Sequence, residues 1–153
     1  RNDVEYAAMI DAATGQRIGP IIDGEKSEAD IGEHIRAMVS GREYIQLHTH
    51  PLSSSFSDAD VFVMSANDGF KYMVVTGADG TQYILMKNPG AKYYTYQEIH
   101  NEYRIVRSLL HSKYANLVQT GQMSPEQAWK EHSHEIWERI ASNFDFRYIR
   151  ILP

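Results

Sequence analysis

Residues 48–60 read HTHPLSSSFSDAD, and the rest of the chain is organised around them. His48 and His50 stand two apart, a loop from Pro51 to Phe56 follows, and Ser57 precedes Asp60 by three positions. The residues just upstream, Glu43 to Leu47 (EYIQL), have the character of a strand running into the pair. On an extended segment positions i and i+2 share a face, so both imidazoles reach a single ion. Ser57 opens a helical pattern, SDADVFVMSA, and puts Asp60 in its first turn. Two neutral imidazoles and a carboxylate suit Zn²⁺, and three protein ligands leave a fourth position for water.

Working outward, Val4 to Asp11 alternates as a strand does. Val4, Tyr6, Ala8 and Ile10 share one face, and Glu5, Ala7 and Met9 share the other. A turn at Ala13 to Gln16 leads to a partner strand over Arg17 to Ile22. Ser27 with Asp30 resembles a capping box. Ile31, Ile35, Met38 and Val39 then give the apolar face of a helix that Gly41 stops. Beyond the central stretch, the helix from Ser57 runs to about Asn67. Tyr72 to Thr76 and Gln82 to Met86 are strands joined by a turn at Ala78-Asp79-Gly80. From Tyr93 the period becomes helical, with Ile99, Tyr103, Val106, Leu110 and Leu117 on one stripe that Gly121 breaks. Ser124-Pro125-Glu126-Gln127 starts a second helix, which carries Trp129, Ile136, Trp137 and Ile140 at helical spacing. Arg147 to Leu152 reads as a final strand.

HxHP, a serine-rich loop and SxxD together resemble the JAMM motif of the MPN+ (Mov34-like) zinc metalloproteases. The resemblance spans roughly residues 4 to 88, and the loop is one residue shorter than the family's usual spacing. It implies an α/β fold of the MPN type (cytidine-deaminase-like), with a mixed, largely antiparallel sheet, flanking helices and a C-terminal helical extension. Residues 1–92 would form the catalytic core, and residues 93–153 the extension packed on it within the same domain. The resemblance further implies His48, His50 and Asp60 as zinc ligands and Ser57 as a polar assistant at the oxyanion. The general base should be a glutamate on an earlier strand. Glu5 in VEYAAMID fits that place, with Glu25, Glu28 and Glu33 as alternatives in or next to the predicted helix. The reaction implied is hydrolysis of a peptide or isopeptide bond, commonly at the C-terminal tail of a ubiquitin-like protein. The competing expectation is a non-catalytic module of the same fold, serving a larger assembly of phage or mobile-element type. A metal-dependent nuclease ranks third, because the acidic balance opposes binding to a polyanion.

Each of these residues has a plainer reading. S-x-x-D at a helix start is also a capping box. The two roles are compatible: Ser57 fixes the helix start while Asp60 turns toward the metal. Asp58 then serves the helix dipole or the surface. A second HxH, His132-Ser133-His134, falls in a predicted helix, where residues two apart point about 200° apart. It is read as a pair of surface histidines that chelate nothing. The YYTY run at 93–96 and the Trp129/Trp137 stripe read as packing or interface material.

Composition sets the outer bounds. A chain of 153 residues with 42% hydrophobic content is one domain able to bury a core. A net charge of −5 without a Lys/Arg run excludes a nucleic-acid footprint. The absence of cysteine excludes disulfides and thiolate ligands. No apolar run approaches membrane length and no signal peptide is visible, so a cytoplasmic protein off the membrane is expected; a protein or peptide as its partner is what the resemblance implies. The start at Arg1 rather than Met fits a fragment or a processed product.

Overall fold

The period-2 segment EYAAMID forms strand β1 (Glu5–Asp11), and its buried face is Glu5, Ala7, Met9 and Asp11, not the Tyr6 face. Strand β2 (Arg17–Gly24) returns antiparallel along it. Between them Asp11 Oδ1 accepts the Ala13 and Thr14 amides, and Gly15 takes φ 72°, which a residue without Cβ adopts freely. The computed structural model describes residues 5–24 and 31–153, so Val4, the Ser27/Asp30 box and the alternative bases Glu25 and Glu28 lie outside the described residues. Helix α1 is the short segment Gly32–Ala37. Met38 is already extended and Val39 is 60% exposed, so the expected apolar face ends a turn early. His34 anchors this helix to β2 by donating from Nε2 to the Pro20 carbonyl at 2.7 Å.

Strand β3 (Tyr44–His50) pairs antiparallel with β1 and parallel with β4 (Phe70–Gly77). A parallel pair needs a crossover, and helix α2 (Asp58–Ala66) supplies it. Strand β5 (Gln82–Lys87) follows β4 through the expected hairpin. Helices α3 (Tyr96–Gln119) and α4 (Pro125–Ile140) come next, then a short 3-10 turn and β6 (Phe146–Ile151). The result is a mixed α/β structure around an open six-stranded sheet of order β2-β1-β3-β4-β5-β6, antiparallel at every pairing except β3–β4.

Both long helices begin with reciprocal capping boxes, Thr95 with Glu98 and Ser124 with Gln127. Their inner stripes share one core with the sheet: Ile99, Leu110, Ile136, Trp137 and Ile140 are buried in the same cluster as Met9, Phe70, Met73 and Leu85. The C-terminal third therefore closes the sheet with β6 and covers its face with α3 and α4. No helix among the described residues is long and apolar enough to cross a membrane.

Candidate metal centre

The register of β1 against β3 assembles the site. Ala7 lies opposite His48, so two steps on, at the strand ends, Glu5 falls opposite His50. Residues opposite one another in an antiparallel pair share a face, and the period of two puts Glu5, Ala7, His48 and His50 on the same side. Ala7 leaves room beside the His48 ring. All three polar side chains are buried, and one ligand atom from each lies within 4.8 Å of the others. This Glu5–His48–His50 cluster could hold a metal ion.

The distances carry the proton inventory. His50 Nδ1 is 2.8 Å from the Ser54 carbonyl, which can only accept, so Nδ1 donates there and Nε2 is the nitrogen turned to the cluster. That Nε2 faces Glu5 Oε1 at 3.6 Å and Asp60 Oδ2 at 3.9 Å. Ligands of one tetrahedral zinc at about 2.0–2.1 Å lie roughly 3.3 Å apart, so these gaps need little adjustment. His48 Nε2 is 2.6 Å from Glu5 Oε1. Burial opposes charge on His48, but the Glu5 hydrogen bond and the charges of Asp60 and Glu5 outweigh it and raise its pKa above the ordinary histidine value. His48 Nδ1 is buried and has no hydrogen-bond partner among the described residues.

Ser57 and Asp60 stand as the capping reading has them. Ser57 Oγ accepts the Asp60 amide and Asp60 Oδ2 accepts the Ser57 amide, both at 3.1 Å. The same Asp60 Oδ2 is the atom that approaches His50. Because Ser57 Oγ accepts there, its own hydrogen is free to donate, and Ser57 lines a cavity of about 410 Å³ together with Glu5 and His50. Glu33 is exposed on α1.

The loop between the histidines and Ser57 is fixed from three sides. Ser53 takes φ 58°, and its carbonyl accepts the Tyr83 hydroxyl at 2.7 Å. Gly77 packs so closely that an added Cβ would stand 2.6 Å from Ser53 Cα. From the C-terminal third, Ser133 Oγ accepts the Ser55 amide at 2.9 Å and the Trp137 indole donates to the Phe56 carbonyl at 2.7 Å. Tyr148 links Ser55 Oγ to His134 Nδ1 at 2.9 and 2.8 Å.

His134 is therefore buried, contrary to its reading as a surface residue, because α4 turns that face onto β6. His132 points elsewhere, to the Arg107 carbonyl, so the pair indeed shares no ion geometry. Trp137 is fully buried while Trp129 is 54% exposed, which splits the stripe that spacing alone had grouped. Ser133, Trp137 and Tyr148 gave no sign in the sequence of touching the site, since their partners in the loop are 78 to 93 residues distant. Comparison with family models, with curated proteins and with solved structures returned no match.

Proposed function

We propose that this chain is a zinc-dependent hydrolase of the JAMM/MPN+ kind, cleaving a peptide or isopeptide bond. The observation that carries the reading is the arrival of Glu5, from a separate strand, within 2.6 Å of His48 and 3.6 Å of His50. A lone HxH at a strand end is common; an HxH with a buried carboxylate beside it and Asp60 Oδ2 at 3.9 Å from His50 supports a ligand set plus a base. His48, His50 and Asp60 would hold the metal, and His50 is already oriented for it by the Ser54 carbonyl. Bound zinc supplies Lewis acidity, which makes water acidic near neutral pH and polarises a carbonyl.

The chain's own groups do the rest. Glu5 accepts the proton from the attacking water and passes it to the leaving amine. Its burial between two imidazoles keeps the carboxylate aimed at one spot. Ser57, with a hydrogen to donate, faces the 410 Å³ cavity where the carbonyl oxygen would develop charge.

One observation favours a variant of this assignment. Glu5, His48 and His50 form the compact cluster, whereas Asp60 Oδ2 is engaged by the Ser57 amide. In that variant Glu5 is a ligand and not the base. The test is metal content by mass spectrometry with turnover of ubiquitin-like and peptide substrates. With Glu5 as base, Glu5→Gln keeps one zinc and loses turnover; loss of zinc instead makes Glu5 a ligand. His48→Ala should lose the metal in either case. If the parent chain takes up no zinc when it is supplied, the hydrolase reading fails and the non-catalytic module stands.

A further inference from the structure

Two cavities meet beside the candidate centre. One is the 410 Å³ cavity that opens onto Glu5, His50 and Ser57. The other, about 570 Å³, is a groove between α3 and α4. Tyr103, Trp129 and Ser133 line both, so the groove adjoins the site along those three residues. Two large apolar side chains stay exposed here, Trp129 at the junction at 54% and Leu52 on the smaller cavity at 63%. Exposed aromatic and aliphatic surface beside a polar centre marks a place of contact with something else.

The chemistry of the groove is one-sided. Ala115, Val118, Ala128 and Ile136 give it apolar walls. Arg107, His111 and His132 are its titratable basic groups, and among the described residues no Asp or Glu lines it, although Glu135 lies just behind, bonded to the Tyr114 hydroxyl. Burial, together with the charges of His111 and Arg107, holds His132 below the ordinary histidine value, even though the Arg107 carbonyl bonds to it and the Glu135 charge opposes the shift. Arg107 is the side chain of the groove that keeps its positive charge at any working pH. Its guanidinium lies 5.5 Å over the Tyr103 ring, at the shared edge of the two cavities.

We infer that the α3–α4 groove is a substrate subsite: it takes an apolar side chain of an extended peptide, with an acidic neighbour paired to Arg107, while the scissile bond lies at the Glu5–His50 end. The inference rests on the hydrolase reading for its second half only. An apolar wall rewards a buried side chain, and a single cation beside it selects the sign of the neighbouring charge.

The experiment uses the full chain in chelator, so that binding is measured without turnover. The probes are fluorescein-labelled Gly/Ser octapeptides carrying Leu-Glu, Leu-Lys or Ser-Glu at the centre, followed by anisotropy. Leu-Glu should bind about tenfold tighter than either of the others. Arg107→Glu, at an exposed position, should reverse the preference to Leu-Lys. Ala115→Trp should fill the groove and abolish tight binding while melting like the parent. Equal affinities for the three peptides, no binding of any, or a preference that survives both variants overturns the subsite. Zinc is then added and cleavage is followed. Selective binding without cleavage sinks the hydrolase reading and leaves a peptide-binding groove. Cleavage indifferent to the central pair sinks the groove and leaves the hydrolase.

Discussion

Replacing Trp137 by Phe tests whether the C-terminal third sets the geometry of the candidate centre. The indole is fully buried and donates to the Phe56 carbonyl, which closes the loop that joins His50 to Ser57. Phe keeps most of the ring and removes the donor. Leaving the buried Phe56 carbonyl unpaired costs roughly 1–3 kcal/mol. The missing part of the ring adds roughly 1 kcal/mol at about 24 cal/mol per Å³ of cavity. A loss of roughly 2–4 kcal/mol should therefore appear in urea unfolding of the metal-free protein. The loop also carries the Ser54 carbonyl that orients His50. If loosening it misaligns His50 by about 1.4 kcal/mol, zinc affinity falls about tenfold, measured by competition with a chromophoric chelator. Leu110→Ala is the control, since Leu110 is buried on α3 and bonds to no part of the loop. It should destabilise by a similar amount and leave zinc affinity unchanged. If both variants bind zinc as the parent does, α4 stabilises the fold without shaping the site, and the reasoning is refuted.

Three further outcomes follow from the same contacts. Gly77→Ala should destabilise the chain and weaken zinc binding together, because the new methyl meets Ser53 at 2.6 Å; unchanged binding in a chelator titration would show that the loop shifts freely. His132→Ala should leave zinc binding and loop order as they are, whereas Ser133→Ala removes the acceptor of the Ser55 amide and should raise its exchange; equal exchange at Ser55 in the two variants would contradict the Ser133–Ser55 bond. Glu135 resists the upward push of burial because Lys113, Tyr114 and Arg139 all donate to it, and its pKa falls to about 2. A lowered carboxylate stabilises above its unfolded value and loses that contribution as pH falls from about 4.5 toward 2, so Glu135→Gln should lower Tm at pH 7 and flatten the acid limb of the Tm profile. An acid limb as steep as the parent's would rule this out.

Much of the site was legible because its information is local. The HxH spacing needs only that residues 44–50 be extended, and SxxD needs only a helix beginning at Ser57; both conditions are written in neighbouring residues. The turns at Gly15 and Gly80 and the helix start at Ser124 follow from the same kind of short-range chemistry, and so does the Thr95 box, which lies among tyrosines that read as packing material. Spacing failed where exposure decided the outcome. Val39 fits a helical stripe and is exposed; His134 fits a polar face and is buried.

Short-range patterns in the sequence were enough to fix a strand carrying two histidines and a capped helix carrying Ser57 and Asp60; that the sheet is mixed rests on the β3–β4 pairing. Only the tertiary structure decided that the Glu5 face of β1 turns inward. Alternation gives two equivalent faces, and it takes the register of Ala7 against His48 to choose between them. Only the tertiary structure, too, placed Trp137, Ser133 and Tyr148 against the loop at Ser55 and Phe56. Those hydrogen bonds join residues 78 to 93 positions apart, a separation at which side-chain pairing leaves no periodic trace in the chain.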